Sequence, residues 1–226
     1  MWCLSLLFGF KSGKTMKVIL GWSGGLDSTY ALWYYLTQTD YKVHAHHIYI
    51  QQKEKILWKA EREVCRKIVK YISENSILGV LGRSDFVYSY GQYRSPAVSL
   101  DQDIILFMLS QIALTSRDDC FVALGIVKED YDRWVGDVGY YPTVGRDIFK
   151  LAITNGDFVW GKGKQLHKID PEIKMPLKDL TKKDIIERIP PSLLNLTWSC
   201  RYPIEISETE YKPCNKCRAC KERNEW

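Results

Sequence analysis

The chain has no apolar run long enough to span a bilayer, no internal repeat and no low-complexity segment. It has little net charge, +5 at pH 7 over 226 residues. That mild basicity does not by itself argue for DNA or RNA binding, although an anionic ligand is compatible with it. A disulfide framework is also missing. The seven cysteines are odd in number and uneven in spacing, with Cys3, Cys65 and Cys120 scattered and Cys200, Cys214, Cys217 and Cys220 crowded near the C-terminus. Crowding at two-residue gaps reads as metal ligation in a reducing compartment, so a cytoplasmic location is expected. At 46% hydrophobic residues the chain can fill a real core, which excludes the disordered class. The length fits one substantial domain with a small appended module.

The opening run, Met1-Trp2-Cys3-Leu4-Ser5-Leu6-Leu7-Phe8, is short, and no basic residue precedes it. It makes a poor signal peptide. Residues 1–15 are expected to be a tail, with translation starting at Met16. The segment Gly9 to Thr15 looks like a phosphate-binding P-loop, but three residues separate its glycines where four are needed.

From Lys17 onward, apolar runs alternate with helical patterns. Strands are expected at 17–22, 42–50, 85–88 and 120–126. Helices are expected at 29–37, 54–74, 101–115 and 182–189, the last capped by Thr181 and stopped by Pro190-Pro191. In 54–74, Ile56, Ala60, Val64, Ile68 and Ile72 stand four apart. This alternation predicts an α/β fold, a doubly wound parallel sheet over residues 16–196 whose ligands bind beyond the C-terminal strand ends. A separate module is expected at 197–226, because that stretch has little apolar periodicity.

At the end of the first strand stands Ser23-Gly24-Gly25-Leu26-Asp27-Ser28. Gly24 and Gly25 allow a sharp turn and a close approach to an anion. The free amides and dipole of the following helix favour that anion. Ser23 and Ser28 can donate to phosphate oxygens. A carboxylate beside phosphates repels them, so Asp27 makes sense if it holds magnesium or orients the loop. The alternative is a tight strand-to-helix turn with an ordinary cap.

The four C-terminal cysteines can close a tetrahedral zinc site with no open position. Metal binding would then help order a short polar tail. An iron–sulfur cluster is the competing use of four thiolates. Lys212, Lys216, Arg218, Lys221 and Arg223 flank them against Glu222 and Glu225; a solvated basic face is expected, the alternatives being lowered thiol pKa values or an anionic ligand.

The first motif resembles the SGGxDS loop of the PP-loop ATP pyrophosphatase superfamily at Ser23, Gly24, Gly25, Asp27 and Ser28. Joined to Thr197-Trp198-Ser199-Cys200 and C-x-x-C-x-x-C, it resembles the 7-cyano-7-deazaguanine synthase family across Ser23 to Cys220. Fragments between agree in part. They are Leu180-Thr181-Lys182-Lys183, Ala123-Leu124-Gly125 with Asp130-Tyr131, and Tyr141-Pro142 with Arg146 and Phe149. Three departures stand out. The Asp-Cys pair after Tyr-Pro is replaced, with one residue inserted. Val98-Ser99-Leu100-Asp101-Gln102 stands where the family carries P-G-R-N. Tyr49-Ile50-Gln51-Gln52-Lys53 lacks the glycine and histidine of Y-G-Q-R-H.

The resemblance implies an adenine nucleotide alpha hydrolase-like fold and an ATP-dependent carbon–nitrogen ligase. It would adenylate 7-carboxy-7-deazaguanine and, with ammonia, form the amide and then the nitrile in queuosine or modified-DNA synthesis. It implies ATP, magnesium and zinc as cofactors. The implied phosphate-site residues are Ser23, Gly24, Gly25, Leu26, Asp27 and Ser28, with Lys182 and Arg146 as candidate contacts to phosphate or carboxylate. The flanking residues Trp22, Thr29, Tyr30, Ala31 and Leu32 complete the expected nucleotide segment. Cys200, Cys214, Cys217 and Cys220 are the expected zinc ligands. The partners are small molecules, nucleic acid is not required, no membrane is involved, and a homodimer is compatible. The alternatives are an enzyme that stops at the amide or conjugates the deazaguanine to a macromolecule, a tRNA-thiolation adenylating enzyme, and an inactive zinc-bearing binding module.

Overall fold

A computed structural model describes residues 16–51, 56–75, 86–94, 101–116, 118–133, 147–152, 154, 169–170 and 172–225. In chain order the elements are β1 (Lys17–Gly21), α1 (Leu26–Gln38), β2 (Lys42–Gln51), α2 (Leu57–Glu74), β3 (Phe86–Arg94), α3 (Asp101–Thr115), β4 (Cys120–Leu124) and α4 (Lys128–Arg133). They continue with α5 (Lys182–Arg188), α6 (Pro191–Leu196), β5 (Ile204–Ser207), β6 (Glu210–Lys212) and α7 (Arg218–Arg223).

Four strands form a parallel sheet in the order β3-β2-β1-β4. Successive strand residues point to opposite faces, and β1 shows why both faces are covered. Val18 and Leu20 enter one core with Leu32, Leu36, Val64 and Ile68 from α1 and α2. Ile19, between them, enters a second core with Leu106 and Leu109 of α3 and with Phe149. The four-residue spacing of Ala60, Val64, Ile68 and Ile72 gives α2 one buried stripe, and all four are buried. Beyond β4, Ile169 and Lys174 add parallel bridges, to Cys120 and Ala123 respectively.

The chain winds outward from β1 through β2 to β3, then returns to the other side of β1 as β4. That reversal places a crevice at the C-terminal ends of β1 and β4. At the opposite ends, Asp118 accepts from Lys17 at 2.7 Å and Lys42 at 2.9 Å, tying the starts of β1 and β2 to the approach of β4. Both lysines hold its carboxyl down to about 2.

Three features differ most from expectation. The first helix starts at Leu26 rather than Thr29, so Asp27 and Ser28 lie in its first turn. The third strand runs to Arg94 rather than Tyr88, because it pairs along β2 as far as Gln51. The C-terminal region carries a hairpin, β5–β6, and a short helix. Thr181 caps α5 as expected, in a reciprocal box with Asp184. No helix among the described residues is long and apolar enough to cross a membrane.

Candidate active site

The β1–α1 turn is shaped by its own side chains. Gly24 has φ +76°, and a Cβ there would stand 3.1 Å from both Val64 Cγ1 and Cys65 Sγ. The positive φ favours glycine, and the tight packing against α2 leaves little room for a side chain. Ser28 Oγ accepts from the Ser23 amide at 3.2 Å and lies 3.1 Å from Ser23 Oγ, while Ser23 Oγ accepts from the Gly25 amide at 3.3 Å. Gly25 is the N-cap of α1 without a side-chain cap, which leaves the first helical amides facing the crevice.

The neighbouring strand end is equally constrained. A Cβ on Gly125, just past β4, would stand 2.7 Å from Ser28 Cα and 2.8 Å from the Asp27 carbonyl oxygen. Only glycine lets β4 deliver its chain against the first turn of α1.

A cavity of about 190 Å³ opens at this point. Ser23, Gly25, Leu26, Asp27, Ser28 and Gly125 form one wall, and Leu57 and Glu61 of α2 form another. Lys182 at the start of α5 and Trp198 to Arg201 close it, with Ala219 and Glu222 of α7. Lys182 is held by its backbone amide, which donates to Glu129 Oε1 at 3.1 Å, and its ammonium lies 3.8 Å from Glu222 Oε2.

Asp27 Oδ1 is buried with no hydrogen-bond partner. Burial pushes the carboxyl up to about 7; Lys182 and Arg201 pull it down, while Asp130 and Glu129 push it further up. A buried, unpaired carboxylate oxygen beside this turn is a fitting ligand for a hard divalent cation.

Of the expected nucleotide segment, Trp22, Thr29, Tyr30, Ala31 and Leu32 are buried behind this wall. The Trp22 indole N–H donates to Thr29 Oγ1 at 3.1 Å, so these side chains support the turn from within the core. Arg146 lies outside the described residues. Sequence reasoning missed Glu61, Arg201 and Glu222, which reach the cavity from distant segments. It also missed His47, whose Nδ1–H donates to the Trp22 carbonyl at 2.8 Å directly beneath the turn. Burial drives His47 down to about 4, so it stays neutral. Its signal was the concentration of three of the four histidines in β2.

The C-terminal segment packs onto the turn. The Trp198 amide donates to the Gly24 carbonyl at 3.0 Å. Immediately beyond, the sulfurs of Cys200, Cys214, Cys217 and Cys220 all lie within 4.8 Å of one another, with Cys214 and Cys220 3.9 Å apart. Four sulfurs at tetrahedral zinc bond lengths of about 2.3 Å would be about 3.8 Å apart, so the set fits one ion. Amides of Lys216 and Cys217 donate to Cys214 Sγ and lower its thiol to about 6, favouring the thiolate a metal needs. Asn215 adopts φ +57° to make this turn.

The family model described as Queuosine biosynthesis protein QueC matches residues 105–225, just over half of the chain. The chain belongs to the QueC family. A 7-cyano-7-deazaguanine synthase of Archaeoglobus fulgidus is 26% identical over 223 residues, covering 93% of this chain and 85% of the relative. The 7-cyano-7-deazaguanine synthase 2 of Sulfurisphaera tokodaii is 24% identical, covering 92% of this chain but 44% of the relative. The chain thus spans less than half the length of that second relative. The Ser23 turn lies outside the QueC match but inside the aligned length shared with these relatives. Among solved structures, a U34-tRNA thiolase NcsA of Methanococcus maripaludis with its [4Fe-4S] cluster has a TM-score of 0.50 at 16% identity, covering 93% of this chain and 63% of the thiolase. That likeness concerns the fold alone.

Proposed function

We propose that this QueC family member is an ATP-dependent synthase that converts 7-carboxy-7-deazaguanine and ammonia, through the amide, to 7-cyano-7-deazaguanine. The observation that carries the reading is the shared cavity: the Ser23–Ser28 turn and Trp198 to Cys200 of the family's C-terminal motif line one space. Membership of the family and relatives named as synthases supply the substrate class.

The carboxylate of the deazaguanine is a poor electrophile. Its oxygen attacks the α-phosphorus of ATP, pyrophosphate leaves, and ammonia then displaces AMP from the mixed anhydride to give the amide. A second adenylation on the amide oxygen followed by loss of AMP and a proton leaves the nitrile. The chain's task is to position and neutralise. The amides at the start of α1 and the hydroxyls of Ser23 and Ser28 hold phosphate oxygens. Lys182 adds positive charge. Asp27, Glu61 and Glu222 make the cavity acidic, so a triphosphate would enter with a divalent cation, and Asp27 Oδ1 is the ligand available to it. Magnesium so bound would screen the phosphates and stabilise the leaving pyrophosphate.

The four cysteines are read as a structural zinc site. In a four-iron cluster each thiolate binds a different iron, whereas these sulfurs converge on one point. The thiolation reading finds less support. Cys65 and Cys120, the two described cysteines outside the set, are fully buried, and burial raises both thiols.

The test is product mass after incubation with 7-carboxy-7-deazaguanine, ammonia, ATP and magnesium. Pyrophosphate release with a nitrile product is expected. An amide as the only product would favour the shorter reaction. No ATP turnover with this acid would remove the assignment.

A further inference from the structure

Arg201 lies outside the phosphate-binding motif and follows the first cysteine of the cluster. It lines the same cavity as Asp27, and its charge is close enough to act on that carboxyl. Three acids and two bases line the space. Lys182 is engaged by Glu222 at 3.8 Å. Among the described residues, no hydrogen bond or ion pair holds the Arg201 guanidinium, which is exposed. Arg201 is thus a cation presented to an anion-binding turn without an internal partner.

The backbone around it is fastened to the sulfurs on both sides. Cys200 is itself one of the four, and the Tyr202 amide donates to Cys200 Sγ at 3.4 Å. Cys200 Sγ also accepts from the Cys214 amide at 3.2 Å. A metal ion that draws the four sulfurs together would fix the turn from Cys200 to Tyr202 and with it the origin of the arginine side chain. Residues on α7, between and beyond the cysteines, complete the wall at Ala219 and Glu222.

We propose that Arg201 is a phosphate-binding residue of the nucleotide site, positioned by the four-cysteine cluster, so that metal and nucleotide occupancy are energetically linked. This rests on the reading of the cavity as the ATP site. The planar guanidinium suits the paired oxygens of a phosphate better than a lysine would. By linkage, a metal that favours nucleotide binding must be held more tightly when nucleotide is bound.

The test uses the metal-loaded full chain and a non-hydrolysable α,β-methylene analogue of ATP with magnesium, followed by calorimetry. Arg201→Ala should weaken binding by on the order of tenfold, with Arg201→Lys intermediate. Zinc content and thermal midpoint should match the parent protein, which separates a binding role from a structural one. In the parent protein, saturating analogue should slow zinc transfer to a chromogenic chelator several-fold, and in Arg201→Ala this protection should shrink. Equal affinity of Arg201→Ala and the parent would overturn the proposal while leaving the ATP site standing. Failure of the parent protein to bind the analogue would overturn the ATP reading and this inference together. Loss of zinc in Arg201→Ala would overturn the claim that its side chain serves the nucleotide.

Discussion

The Trp198 amide donates to the Gly24 carbonyl at 3.0 Å, joining the family's C-terminal motif to the turn that follows β1. The two segments are far apart in sequence but share one cavity wall. Substitutions at the turn should therefore be read through both activity and the order of the C-terminal region.

Gly125→Ala is the sharpest steric test. The added methyl would meet backbone atoms of Asp27 and Ser28 at under 3 Å, and backbone cannot rotate away as a side chain can. The start of α1 must move. A loss of roughly 1–3 kcal/mol in stability is expected from such overpacking. ATP turnover should fall by at least about a hundredfold, since misplacement near 1 Å costs that much in a positioned reaction. Denaturant melts with steady-state pyrophosphate release would check both. Turnover near the parent value would mean that the strand end does not shape the site.

Asp27→Asn separates charge from shape. The folded carboxyl titrates at about 7, above its ordinary value of 3.8. A raised pKa contributes stability that is fully present below about pH 4 and lost as pH rises through 7. The amide cannot ionise, so without nucleotide or magnesium the variant should be more stable than the parent at pH 8, by roughly 2 kcal/mol. The two should converge toward pH 4. Turnover should be abolished, because the cation ligand is gone. Parallel stability curves from pH 4 to pH 8 would show that Asp27 is not buried as described.

How far the sequence revealed this arrangement depended on how local each signal was. The apolar run of β1 and the four-residue stripe in α2 needed no tertiary knowledge to be read as a buried strand and a helix, whereas the split of Val18 and Leu20 from Ile19 between two cores is seen only in the fold. The Ser23–Ser28 turn was equally local, although the helix starts three residues earlier than its apolar spacing indicated. The edge strand β3 was read short because its second half, Ser89 to Arg94, has no aliphatic residue and includes Gly91, and pairing with β2 carries it onward. Arg201, Glu61, Glu222 and His47 carry no motif of their own. Glu61, Arg201 and Glu222 meet at one cavity, and His47 reaches the Trp22 carbonyl beneath the turn, only when the fold brings separate segments together.

Asp118 offers a control at the far end of the sheet. Its carboxyl is lowered to about 2 by hydrogen bonds from Lys17 and Lys42. A depressed pKa contributes stability that is present above about pH 4 and lost as pH falls through 2. The group is partly solvated, so the contribution is about 1 kcal/mol rather than the full shift. Asp118→Asn should lower stability by that amount at pH 7, with little change near pH 2 and none in kcat. A change in kcat without a change in stability would contradict a purely structural role.

A metal at the four cysteines should matter more to the C-terminal region than to the sheet. All four residues of β5 are exposed, and its partner β6 is mostly so, leaving the hairpin little apolar burial to hold it. The sulfur cluster encloses the hairpin, with Cys200 before it and Cys214 after it. Metal analysis should find about one zinc per chain, without the visible absorption of an iron–sulfur cluster. Cys217→Ser removes one of four ligands and should release the metal. The sheet keeps its two cores, so the main unfolding transition should shift only modestly, while cleavage by trypsin within residues 201–221 should speed up several-fold. Nucleotide binding should weaken with it, because Trp198 to Arg201 would lose their anchor. Full zinc retention in Cys217→Ser would exclude Cys217 as a ligand, and unchanged protease resistance after zinc loss would show that the hairpin is held by packing alone.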